Sequence, residues 1–102
     1  MPLNHYLIGS LVVMLGTCDV IDPLTEVETK TDPTSFLFTR EKPDGTIVTY
    51  SAGDPEVVHL ATGIESCTVT VDVAGRERWR YAGTGACTAV AEDAFNVEES
   101  SL

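Results

Sequence analysis

Between positions 66 and 73 the chain alternates without a break. Cys67, Val69, Val71 and Val73 are apolar, and Ser66, Thr68, Thr70 and Asp72 beside them are polar. A period of two sends successive side chains to opposite faces of a strand, so this segment predicts a strand with one buried face. The pattern recurs on both sides of it. Residues 35–42 put Phe36 and Phe38 on one face, residues 46–50 put Val48 and Tyr50 on one face, and a shorter strand runs through Val57, Val58 and Leu60. Downstream, Trp79 and Tyr81 alternate with Arg76, Arg78 and Arg80, which assigns the two rings to the core and the three guanidiniums to solvent. Residues 87–97 form the final strand. A strict inward register of Cys87, Ala89, Ala91, Asp93, Phe95 and Val97 would bury the Asp93 carboxylate at a cost of several kcal/mol, so a bulge is expected near Glu92 and Asp93.

The breaks between these runs are turn-forming. Pro43, Asp44 and Gly45 close a hairpin, because proline presets φ and glycine accepts a positive φ. Ser51 to Pro55, Thr62 with Gly63, Ala74 with Gly75, and Gly83 to Gly85 mark further turns. Six or seven strands at intervals of roughly 8 to 12 residues, with no crossover helix, predict an all-β antiparallel sandwich, with a small barrel as the competing arrangement. The expected core comprises Phe36, Phe38, Val69, Val71, Trp79, Tyr81 and Phe95.

Both ends are less regular. Residues 1–18 mix Tyr6, Ile8, Leu11, Val12, Val13 and Met14 with Gly9 and Gly16, which favours one strand bent near Gly9 over a helix. That strand either opens the sandwich or is an arm that docks on a neighbouring subunit. Residues 19–33 are acidic, carry two Asp-Pro steps and show weak periodicity, as in a surface loop or linker. The expected organisation is an N-terminal strand or arm with its acidic linker at 1–30, one β-domain at 31–98, and a polar tail at 99–102.

A chain of 102 residues has room for one modest core. Sixteen acidic residues against six basic ones give a formal charge of −10, which repels phosphate backbones and anionic membranes alike. No nucleic-acid or membrane partner is expected. The apolar run from Tyr6 to Leu15 is shorter than the roughly 20 residues of a spanning helix. It also has no Lys or Arg ahead of it, and Leu15, Gly16 and Thr17 fit poorly the small residue expected just before a lipidated cysteine or at a cleavage site.

Chemistry-bearing clusters are sparse. Three cysteines, Cys18, Cys67 and Cys87, cannot all pair within one chain, and no C-x-x-C spacing occurs, so reduced thiols in a cytoplasmic setting are the simplest reading. The alternative is a bridge between Cys67 and Cys87, which requires them to meet across the core. His5 and His59 have no ligand at metal spacing on their own strands, and His59, between Val58 and Leu60, is expected to face outward. No nucleophile elbow and no phosphate-binding loop is present. The expectation is a non-enzymatic protein with no catalytic, cofactor-binding or metal-ligating residues. Partner docking falls instead to Tyr6, Ile8, Leu11 and Val13 in the N-terminal run and to Arg76, Arg78 and Arg80, whose alternative role is pairing with acidic neighbours across strands.

With the turns in order, residues 31–97 resemble the small immunoglobulin-like proteins encoded among the virion genes of tailed bacteriophages. The resemblance is carried by Asp32 to Thr34, Pro43 to Thr46, Thr62 and Gly63, Ala74 and Gly75, Trp79 and Tyr81, Gly83 to Gly85, and Phe95 to Val97. It departs from that pattern at the acidic segment after the first strand. The resemblance implies an immunoglobulin-like β-sandwich of about seven strands and a structural virion protein assembled in the host cytoplasm. Such a protein would be oligomeric in the particle and would bind the major capsid protein or other virion proteins. Decoration or cementing of the capsid lattice is the first expectation. A head-to-tail connector, neck or tail module is the second, and an exported bacterial surface adhesion domain the third.

Overall fold

The computed structural model describes residues 4–99. They form ten strands: β1 (Asn4–Leu7), β2 (Leu11–Thr17), β3 (Asp19–Ile21), β4 (Glu28–Lys30), β5 (Ser35–Glu41), β6 (Ile47–Ser51), β7 (Val57–Ala61), β8 (Ile64–Thr70), β9 (Gly75–Thr84) and β10 (Ala89–Glu98). One sheet has the order β1-β10-β9-β5-β6, a second has the order β2-β8-β7, and β3 pairs with β4 as a two-stranded ribbon. All pairings are antiparallel except that of β1 with β10. The class is all-β, and no helix occurs among the described residues.

The two larger sheets enclose one core. Val12 and Met14 of β2, Cys67 and Val69 of β8, and Val71 meet Phe38, Tyr50, Tyr81, Phe95 and Val97 from the five-stranded sheet. Each such side chain contributes about 1.5–3 kcal/mol when fully buried. Phe36 and Trp79 are half-buried and pack against this cluster. Their rings join those of Phe38 and Tyr81 at centroid distances of 5.1 to 6.4 Å. Contact between the sheets depends on Gly16, because a Cβ there would lie 2.2 Å from the Tyr81 ring.

Residues 4–17 are two strands in different sheets rather than one bent strand or a free arm. Gly9, at φ 93°, turns the chain from β1 beside β10 into β2 beside β8. The segment 19–33 also differs from a linker, since β3 and β4 make a hairpin whose tip is set by Asp22. The Asp22 carboxylate accepts the Leu24 and Thr25 N–H groups, and the Asp22 N–H donates to the Val27 carbonyl. β3 continues the line of β2, so the ribbon carries that strand past the end of the sheets. The molecule is accordingly 55 Å long, with a radius of gyration of 15.2 Å where about 13 Å is usual for this length. Residues 1–3 of the expected N-terminal unit and 100–102 of the expected tail lie outside the described residues.

β10 pairs with β9 residue for residue from Ala89 to Val97, so the bulge expected near Asp93 does not form. Asp93 is exposed all the same: its register partner Trp79 is half-buried, and both residues border an open groove. The charge that does enter the core is elsewhere. Arg40 of β5 and Glu77 of β9, 4% and 1% exposed, form a buried ion pair, and Arg40 also donates to the Thr70 carbonyl across the core at 3.1 Å. Burial alone would lower the Arg40 pKa, but Glu77 and Tyr50 together, by hydrogen bonding first and charge second, outweigh it and raise it.

Cys18 and Cys87 form a disulfide, which corrects both the reduced-thiol reading and the proposed 67–87 bridge. Cys18 directly follows β2, and Cys87 lies in the β9–β10 turn, so the bond ties the two sheets together at the base of the ribbon. Cys67 instead faces the core from β8, fully buried, and burial pushes its thiol up to about 11.

Candidate docking surfaces

The functional candidates fall on opposite outer faces. On the three-stranded sheet, Val12, Met14 and Gly16 of β2 point inward, which leaves Leu11, Val13 and Leu15 outward at 68%, 61% and 47% exposure. Their register partners on β8 are Thr70, Thr68 and Ser66, and Val58 of β7 lies beyond Ser66. No strand residue of this face is charged. Glu56, opposite Thr68, is the acidic residue at its rim, and its carbonyl accepts the Thr68 N–H. β2 is also an edge strand, so a row of backbone groups borders the apolar patch.

The outer face of the five-stranded sheet has the opposite character. Arg76, Arg78 and Arg80 project from β9, with Thr39 and Glu41 of β5 on one side and Glu92 and Ala94 of β10 on the other. Arg78 donates to Glu41 at 2.6 and 3.1 Å, and Arg80 lies 3.8 Å from Glu92. Arg76 has no carboxylate within salt-bridge distance among the described residues. With Ile47 of β6, Trp79 and Asp93, these side chains border an open groove of about 610 Å³ in which three arginines face three carboxylates.

Of the remaining candidates, Tyr6 is half-buried and packs edge-on against Phe95 at 5.3 Å, which makes it a structural residue. Ile8 lies in the β1–β2 turn, 41% exposed. Leu15, the last residue of the apolar run expected to dock, and Val58, expected only as a strand residue, complete the apolar face. In Leu11 to Leu15 every residue is apolar, so the period that separates inside from outside is invisible there.

At the ribbon end, the Asp32, His59 and Glu65 ligand atoms lie within 4.8 Å of one another. These are residue types that can hold a divalent cation. Their polar atoms are already engaged, however: His59 Nδ1 is 2.7 Å from Glu65 Oε1, and Asp32 Oδ1 accepts the Gly63 N–H at 2.7 Å. The trio clasps the 31–34 loop to the β7–β8 hairpin. His59 thus turns toward Glu65 rather than simply into solvent, and the hydrogen bond and charge of Glu65, followed by Asp32, raise its pKa. The buried Tyr81 hydroxyl has no hydrogen-bond partner among the described residues, and burial together with the charges of Glu65 and Asp32 raises its pKa.

Compared with known proteins, the chain matches no family model, no curated protein and no solved structure.

Proposed function

We propose that this chain is a non-enzymatic virion structural protein of immunoglobulin-like type, which seats the bare face of its three-stranded sheet on an assembled capsid lattice. The observation that carries the reading is that uncharged face, Leu11, Val13, Leu15 and Val58, on a molecule of net charge −10. Contiguous apolar area of this kind marks an interaction surface, and like-charged neighbours could approach it without strong repulsion. The strand orders support the immunoglobulin-like assignment. In that fold's lettering, β2, β8 and β7 correspond to B, E and D, and β10, β9, β5 and β6 to G, F, C and C′. The disulfide joins the ends of the strands corresponding to B and F.

The test is the amount of this chain relative to the major capsid protein in purified particles. A ratio near that of a lattice component is expected, while a single ring's worth would move the protein to the neck or tail. Deleting residues 1–16 is not a test of docking, because it removes Val12 and Met14 from the core. Substitution at Val13, which is outward-facing, separates docking from folding.

The Cys18–Cys87 disulfide favours a second reading, an exported surface domain, since such bonds persist in oxidising compartments. Virion surfaces are also among the places where they persist. Recovery of the chain on cells in the absence of particles would select the exported reading.

A further inference from the structure

Two carboxylates at the ribbon end of the molecule lack a basic partner. Glu65 of β8 is 4% exposed on the inner side of its sheet, and Asp32 stands beside it in the loop between β4 and β5. No lysine or arginine lies within salt-bridge distance of either among the described residues. Their nitrogen neighbour is His59 of β7, whose Nδ1 lies 2.7 Å from Glu65 Oε1 and 4.0 Å from Asp32 Oδ1. Even a charged imidazole leaves this trio with one negative charge in excess, and one of its carboxylates is buried.

A second observation points to the same place. The Tyr81 ring lies against Gly16, the register partner of Glu65, and its hydroxyl ends beside Gly83 and the side chain of Pro33, next in the chain to Asp32. Tyr81 is fully buried, and that hydroxyl has no hydrogen-bond partner among the described residues. A buried tyrosine O–H normally donates to something. Here an unpaired donor is aimed at a group of unbalanced acceptors.

We infer that Asp32, His59 and Glu65 bind a divalent transition-metal cation of the zinc type, with the Tyr81 hydroxyl as an outer donor behind them. Zinc takes imidazole nitrogen and carboxylate oxygen at about 2.0–2.2 Å in a tetrahedron, where neighbouring donors stand about 3.4 Å apart. The observed 2.7 and 4.0 Å bracket that spacing, so shifts of under about 1 Å seat the ion. The hydrogen bond between His59 and Glu65 already brings those donors together, and the cation takes the place of its proton. Asp32 Oδ1 is held by the Gly63 N–H, while Oδ2 has no partner among the described residues. All three ligands border an open cleft of about 550 Å³, which leaves the fourth position to water. The phenol then gains an acceptor in a ligating carboxylate or in that water, the usual work of an outer donor. Because the donors come from a loop and two strands, no ligand spacing marks the site in the sequence. The site lies on the inner side of the three-stranded sheet and does not depend on what its bare outer face covers.

Calorimetric titration of the chelator-treated full chain with zinc tests this. One zinc per chain is expected, and zinc should raise the urea midpoint because it binds the folded arrangement. Tyr81→Phe should weaken zinc binding about 10-fold, and His59→Gln and Asp32→Asn about 100-fold or more, with loss of the rise in midpoint. Both ligand variants sit at exposed positions, so their urea transitions in chelator should stay cooperative and near wild type. His5→Gln, which removes the other histidine from its pair with Glu98, should leave zinc binding unchanged. Absence of binding, binding that survives His59→Gln or Asp32→Asn, loss of binding in His5→Gln, or calcium bound more tightly than zinc would overturn the inference. Zinc affinity unchanged in Tyr81→Phe would overturn the part assigned to the phenol.

Discussion

The two sheets arise from the same alternation but distribute charge in opposite ways. The five-stranded sheet carries charge on both faces: Arg40 and Glu77 are paired inside, and three arginines with Glu41 and Glu92 lie outside. The β2-β8-β7 sheet carries little on either. Its inner face is apolar apart from Glu65 and the His59 that pairs with it, and its outer face is mainly leucine, valine, serine and threonine. A sheet can satisfy solvent with ion pairs on its outside, or it can leave that side bare for something else to cover. The contrast teaches that the surface we propose for docking stands out by missing charge.

Separating the sheets should have the largest effect. Replacing Cys18 and Cys87 by serine removes a cross-link spanning 69 residues, for which loop-closure entropy gives about 4 kcal/mol. The loss should appear as a urea midpoint below that of the oxidised wild type, and reducing agent should lower the wild type in the same way.

Removing one charge from inside the wider sheet comes next. Arg40→Met strands Glu77 in the core and should cost about 3 kcal/mol or slightly more, measured by urea unfolding. The double variant Arg40→Met/Glu77→Leu should recover most of that, because two apolar groups leave no unpaired charge. A double variant as unstable as the single would mean that packing around Arg40, rather than the pair, holds this end together.

The smallest effect is the pH response of the clasp on the three-stranded sheet. His59 has a folded pKa raised above 6.5, so its contribution to stability is fully present below pH 6.5 and is lost as the pH rises through the folded value. The wild-type unfolding midpoint should fall slightly over that window, and His59→Gln should remove the fall. An unchanged pH profile in the variant would show that another group titrates.

Strand positions were legible wherever polar residues punctuate the chain. Val69 and Val71 on one side of the sandwich, and Phe38, Tyr81 and Phe95 on the other, are all buried. Pairings that depend on distant parts of the chain were not legible. Cys18 finds Cys87 only because β2 and β9 end at the same end of the molecule, and Arg40 finds Glu77 only through the β5–β9 pairing and its twist. The ribbon was hidden for a local reason: its tip is built by an Asp22 side-chain turn and by Glu26 at φ 58°, without the Asn-Gly or Gly-Gly signal of tight hairpins. The bare face was half legible. Leu11 and Val13 stood out as apolar, but which of five consecutive apolar residues point outward follows only from the β2–β8 register.

The central claim is that the outer face of the three-stranded sheet is covered in the assembled particle. The most direct measurement supplies wild-type chain and a Val13→Lys variant in equal amounts during assembly and quantifies both in purified particles by mass spectrometry. The substitution places an ammonium in the middle of an uncharged contact, so the variant should be depleted about 30-fold or more while unfolding at nearly the wild-type urea concentration. Equal incorporation of a folded variant would contradict the account.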